Sequence, residues 1–75
     1  MTEREFEISF KRWYMPLGMY AMRVVGNPDD AEDLVENAFL KAWQAIQDGK
    51  DLDNFKSYMY LLVRNECVDF LRQVL

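Results

Sequence analysis

Histidine is absent from these 75 residues, and cysteine occurs once, at Cys67. Without histidine the chain lacks the commonest general base, the commonest transition-metal ligand and every Ser–His or Cys–His pair. A lone cysteine cannot close an internal disulfide, which excludes a stapled secreted scaffold. Proline occurs twice and glycine three times, and no repeat or low-complexity stretch is present. No apolar run approaches the ~18 residues of a membrane span. The acidic start (Glu3, Glu5, Glu7) is unlike a signal peptide. Together these absences predict a cytoplasmic domain with no metal, no cofactor and no direct membrane insertion.

The length allows one small domain, 1–75, whose stability is marginal unless its core is rich. It is rich: 51% of residues are hydrophobic and 15% aromatic, against 29% charged. This composition predicts a globular chain and not a disordered one. Net charge is −4, from nine Lys/Arg against thirteen Asp/Glu, which argues against non-specific nucleic-acid binding. The distribution says more than the sum. Asp29, Asp30, Glu32, Asp33 and Glu36 form an acidic block with no basic residue inside it. After Asn54, Lys56, Arg64 and Arg72 face only Glu66 and Asp69.

Punctuation falls at two places. At Gly26-Asn27-Pro28, Gly26 suits a left-handed helix end, Asn27 a cap and Pro28 a first helical position. The polar stretch from Gln47 to Asn54 is turn-prone, with Asp53 or Asn54 as the next cap. Between these breaks the apolar residues recur at three- and four-residue spacing. Phe6, Phe10, Trp13, Leu17, Tyr20 and Val24 form one stripe, and Ala31, Leu34, Val35, Ala38, Ala42 and Ile46 a second. Phe55, Met59, Leu62, Val63, Phe70 and Val74 form a third, less clean one. The expectation is an all-α bundle of three to four helices, the first kinked near Arg12–Pro16 because Pro16 cannot donate a helical hydrogen bond. Cys67 falls among apolar helical positions and is expected in the core.

Two faces are left over. Asp33, Glu36, Asn37 and Leu40 sit at i, i+3, i+4 and i+7, flanked by Phe39 and Trp43. That combination suits docking onto a helix offering basic residues around an apolar seam. The residues alone equally allow an acidic first turn that favours the helix dipole, with Phe39 and Trp43 in the core. In the third segment Phe55, Lys56, Tyr58, Tyr60, Arg64, Asn65 and Arg72 mix rings, an amide and cations, as single-stranded nucleic acid requires. A plain amphipathic helix is the other reading. The loop has Asp48, Asp51 and Asp53 at short spacing, but an EF-hand needs Gly and Glu at its sixth and twelfth positions, where Asp53 and Met59 stand. It reads as an ordinary polar loop.

Three strings taken together resemble region 2 of bacterial extracytoplasmic-function sigma factors. They are Ala31-Glu32-Asp33-Leu34-Val35-Glu36-Asn37-Ala38-Phe39-Leu40-Lys41-Ala42-Trp43, Phe55-Lys56-Ser57-Tyr58-Met59-Tyr60 and Arg64-Asn65-Glu66-Cys67-Val68-Asp69-Phe70-Leu71-Arg72. The upstream Phe6, Phe10, Tyr14-Met15-Pro16-Leu17 and Tyr20-Ala21 resemble the family's first helix, so the likeness spans essentially the whole chain. The resemblance implies a second helix that docks on the clamp coiled coil of the largest RNA polymerase core subunit, through Asp33, Glu36, Asn37, Leu40, Phe39 and Trp43. It further implies that the loop and third helix capture the melted non-template strand of the promoter −10 element. The residues matching that role are Lys50, Asp51, Asn54, Phe55, Lys56, Tyr58, Arg64 and Asn65. An anti-sigma factor is an expected further partner.

Departures from the family pattern are specific. Glu36 stands where the family usually has Gln, Tyr58 replaces the common Trp, Met59 the common Leu, and Leu61 occupies a position often basic. The family's following helix-turn-helix domain does not follow Leu75 here, so an excised domain or a fragment of a longer protein is expected. The leading function is promoter recognition and melting, with no bond made or broken. The alternative is a small helical protein-interaction module with no DNA role of its own. An enzyme would need a paired-carboxylate pocket that this pattern does not provide.

Overall fold

The computed structural model describes residues 1–74, and they form three helices: α1 (Glu3–Val25), α2 (Pro28–Gln47) and α3 (Phe55–Val74). Local chemistry explains each boundary. The Thr2 hydroxyl accepts from the Glu5 N–H (3.1 Å) while the Glu5 carboxylate accepts from the Thr2 N–H (3.0 Å), closing a capping box at the start of α1. That backbone hydrogen bond from Thr2 is the main cause holding the Glu5 carboxyl below its ordinary pKa. Gly26 ends α1 at φ 76°, its N–H donating to the Met22 carbonyl. A side chain there would be strained, which is why glycine occupies it. Asn27 then caps α2, its Oδ1 accepting from the Asp30 N–H at 3.0 Å, with Pro28 in the first turn. Of the two expected caps for α3, Asn54 takes the role, accepting from the Ser57 N–H at 3.2 Å.

Proline does not divide α1. Pro16 lies inside one continuous helix of 23 residues, so the short fourth piece that its presence allowed does not form among the described residues. Its missing donor leaves one intrahelical bond to the Arg12 carbonyl unmade, at a cost of about 3 kcal/mol. Packing on both sides of the break offsets this. Phe6 and Phe10 precede it, Leu17 and Ala21 follow it, and all four pack into the same core. At ~1.5 Å per residue α1 is about 35 Å long, which accounts for the longest dimension of the 37 × 21 × 17 Å molecule.

The core is built from all three helices. Leu17 and Ala21 meet Val35, Ala38 and Ala42, with Met59, Val63 and Cys67 closing the third side. Alanines at α2 positions 31, 38 and 42 allow close backbone approach, and bulk enters from the aromatic end. There Phe39 touches Phe6, Phe10 and Tyr14 of α1 and Phe55 of α3, at centroid distances of 6.2, 4.7, 6.5 and 6.5 Å. Val24 and Val74, assigned to the stripes by spacing, stand exposed instead. Val25 packs where Val24 was expected, and Val74 is the last residue of α3, with no helix beside it to cover it.

Two of the expected contact residues are largely covered. Phe39 is only 3% exposed and Phe55 only 9%. Both rings pack chiefly into the aromatic cluster and offer little area to a docking partner or a DNA base, although an edge of Phe39 reaches a surface groove between α1 and α2. Phe39 and Leu40 are chain neighbours on opposite sides of the surface: Leu40 is 67% exposed. A urea titration separates them. Phe39→Ala is expected to destabilise the chain by about 3–5 kcal/mol, enough to leave a domain of this size largely unfolded. Leu40→Ala should move stability by no more than ~0.5 kcal/mol. Equal effects of the two would contradict the assigned faces.

Candidate functional site

The outward face of α2 carries Asp33, Glu36, Asn37 and Leu40, all exposed and all on one stripe. Trp43 is half-buried at the edge of that stripe, its ring 4.9 Å from Phe6. Beside Leu40 the surface opens into a groove of about 590 Å³ between α1 and α2. Phe6, Phe10, Phe39, Leu40 and Trp43 line it, and Glu3, Glu7 and Glu36 contribute carboxylates to its walls. An apolar floor with anionic walls suits a basic, amphipathic helical partner: the charges steer the encounter and the apolar floor supplies affinity. Of the six residues expected to dock, Glu36, Leu40, Trp43 and the nearly covered Phe39 line the groove, and Asp33 and Asn37 stand on the adjoining exposed stripe.

On its other flank α2 meets α3 through one ion pair. Lys41 Nζ lies 3.0 Å from Glu66 Oε2, and the Glu66 side chain is only 11% exposed. A second hollow of about 280 Å³ follows, with Asp30, Asp33, Glu66 and Asp69 among its lining residues. Among the described residues no three His, Cys, Asp or Glu side chains converge to hold a metal ion. No described helix is long and apolar enough to cross a membrane.

The residues expected to meet DNA divide between two sides of α3 and its preceding loop. Tyr58 and Asn65 are seven residues apart, on one side of the helix, Tyr58 half-buried against the core and Asn65 exposed. Lys56, Tyr60 and Arg64, at four-residue steps, run along the side that meets α1. Tyr60 makes an edge-to-face pair with Tyr20 at 5.6 Å, and the Lys56 ammonium sits 5.3 Å from the Trp13 ring centroid. Arg12 approaches that same ring, also at 5.3 Å. Lys50 and Asp51 are exposed in the loop, and Asn54 spends its side-chain oxygen on the α3 cap. Sequence reasoning placed Trp13 in the core stripe and assigned nothing to Arg12. The available signal was Arg12-Trp13 one turn ahead of Pro16, a cation and the largest aromatic ring on the α3-facing side of the first helix.

These features define a three-helix docking module with an acidic, apolar-floored face on one side and a basic, aromatic face on the other. Residues 10–74 match the Sigma-70 region 2 family, and the chain belongs to that family. It is 37% identical over 54 residues to a protein of Haemophilus influenzae described as a probable RNA polymerase sigma factor. That match covers 72% of this chain and 28% of the relative, so the chain spans little more than a quarter of the protein it resembles. No solved structure matches the chain significantly.

Cys67 lies behind both faces, 1% exposed. Burial, with a smaller contribution from the neighbouring Glu66 carboxylate, raises its pKa above the ordinary thiol value. Tyr14 shifts in the same direction, through burial and then the nearby Glu32 and Glu36 charges. Both acids hold their protons more tightly folded than unfolded. Their contribution to stability is therefore complete below the unfolded pKa and is lost as pH rises through the folded one. The urea midpoint should fall between neutral pH and pH ~10, starting near the ordinary thiol pKa of ~8.5, and Cys67→Ala should flatten part of the decline. A flat profile in the unsubstituted chain would contradict the assignment.

Proposed function

We propose that this domain is region 2 of an extracytoplasmic-function sigma factor, working in the cytoplasm bound to RNA polymerase core. In this reading α2 docks on the clamp coiled coil of the largest core subunit through Asp33, Glu36, Asn37 and Leu40, with Trp43 at the edge. The loop and α3 hold the melted non-template strand of the promoter −10 element through Lys50, Asp51, Lys56, Tyr58, Arg64 and Asn65. Phosphate contacts by the cations set register, and the rings and the Asn65 amide meet bases. The observation that carries the docking half is Leu40. It is a leucine two-thirds exposed at the end of a carboxylate-bearing stripe, beside an apolar groove that no described residue fills. An isolated apolar side chain at a surface is ordinary, but one that continues a groove marks an interaction site.

The acidic character of α2 supports a basic partner, and Glu36 supplies a charge where the family usually carries a neutral amide. The same groove would receive an anti-sigma factor that competes with polymerase, which makes such a protein the second partner in this reading. The alternative, an interaction module without a DNA role, shares the groove and differs only on the α3 side. Neither requires a bond to be made or broken.

The experiment is binding of the 75-residue chain to an isolated clamp coiled coil from bacterial RNA polymerase. Micromolar or tighter binding is expected, weakened by salt. Leu40→Ala should weaken it by about tenfold, the scale of a well-packed apolar anchor. Asp33→Arg should weaken it further, because a like charge now faces a basic partner. Absence of binding by a chain shown to be folded would remove the polymerase assignment.

A further inference from the structure

The cations of this chain are unevenly answered. Lys11 pairs with Glu7 at 3.2 Å, Lys41 with Glu66 at 3.0 Å, and Arg72 approaches Asp69 at 3.9 Å. The other six of the nine Lys/Arg side chains, Arg4, Arg12, Arg23, Lys50, Lys56 and Arg64, form no salt bridge among the described residues, and what sets Arg12 and Lys56 apart is the ring they share. Both converge on one indole: Arg12 Cζ and Lys56 Nζ each lie 5.3 Å from the Trp13 ring centroid. One comes from α1 and the other from the first turn of α3. Two like charges sharing a ring repel each other, and the ring's quadrupole only partly answers them. A bound anion between them would relieve that repulsion.

The ring also has the right exposure. Trp13 is half-buried, so its orientation is set by the core it packs against, while part of the indole remains accessible. Tyr20 and Tyr60 continue the face as an edge-to-face pair, also half-buried. Arg64 follows Tyr60 by four residues and extends the cationic row. An aromatic platform, two cations over it that a base would displace toward its own phosphate, and further rings and a cation beyond it make the arrangement that single-stranded nucleic acid uses. Bases stack on the rings and phosphates meet the cations.

We propose that Arg12, Trp13 and Lys56 form a nucleotide-binding site on the α1–α3 face, where one base of a single DNA strand stacks on Trp13 and its phosphate lies between Arg12 and Lys56. This rests on the DNA reading above and deepens it: the strand's path includes α1, whose residues carry no DNA role in that reading. It also gives Lys56 a defined partner, since the ammonium leaves the ring for phosphate when a base takes its place.

The test uses the two tryptophans separately. Trp43→Phe leaves Trp13 as the sole indole, and titration with a fluorescein-labelled, mixed-sequence single-stranded dodecamer at low salt reads binding by anisotropy and stacking by indole emission. Trp13 emission should be quenched, and quenching should saturate with binding. Arg12→Ala, at an exposed position, and Trp13→Leu, which keeps apolar bulk over the core, should each weaken binding by about tenfold, within the range for one stacked base. The helical circular dichroism of each variant must match the parent. Binding weakened by Tyr58→Ala but insensitive to Arg12→Ala and Trp13→Leu, with Trp13 emission unchanged, overturns this site and leaves the DNA reading standing. No binding by any folded form overturns both. Equal, Arg12-dependent binding of a polyglutamate dodecamer would make this an acidic-peptide site and likewise overturn the proposal.

Discussion

Phe39 is the side chain through which the three helices meet. It receives Phe6, Phe10 and Tyr14 from α1 and Phe55 from α3, and no other ring in the molecule makes four such aromatic contacts. Burying that one side chain fixes the rotation of α2 about its own axis. Once Phe39 points inward, Leu40, a hundred degrees further round, must point outward, and Asp33, Glu36 and Asn37 follow it onto the same stripe. The candidate docking face is thus a consequence of the core and not an independent arrangement. Aromatic pairs of this kind contribute about 0.5–1.5 kcal/mol each beyond their buried area, a substantial share of what a domain this small can hold in reserve.

The electrostatics divide in the same way as the packing. Carboxylates collect along α2 and the start of α1, while Arg12, Lys56 and Arg64 lie on the opposite flank. Net charge alone, at −4, pointed away from nucleic acid. The sum hides a segregation of charge: the α1–α3 face carries cations and rings, and the acidic face lies across the bundle. Over distances beyond a Debye length of about 10 Å in ordinary salt, the two faces are largely screened from each other.

Much of this was legible in the residues. Three-and-four spacing located the helices, Gly26-Asn27-Pro28 located the first turn, and Cys67 fell in the core as expected. The strip Asp33, Glu36, Asn37 and Leu40 was recognisable as one face because helical periodicity is local information. What could not be read was long-range. Whether Phe39 and Phe55 belonged to the surface or the core depended on which rings arrived from α1, and periodicity within one helix does not say that. Pro16 was read as a kink that allowed a short fourth piece, and α1 runs through it as one helix, packed on either side. Trp13 was read as core because its spacing fits. The approach of Lys56 to that ring appears only when α3 packs against α1.

The turn at Gly26 has a kinetic consequence. Two residues, Gly26 and Asn27, separate α1 from α2, whereas seven, Asp48 to Asn54, separate α2 from α3. The antiparallel pair α1–α2 closes a short loop and so forms its contacts at low entropic cost. It already contains Phe39 with three of its four partner rings. α3 arrives across the longer connection and contributes Phe55 last. The segment that carries Lys56, Tyr58, Arg64 and Asn65 is thus the one whose association with the rest is most weakly anchored by chain connectivity. By the length of its connection alone, seven residues against two, closing α3 onto the other two helices costs about 1 kcal/mol more in chain entropy than closing α1 onto α2.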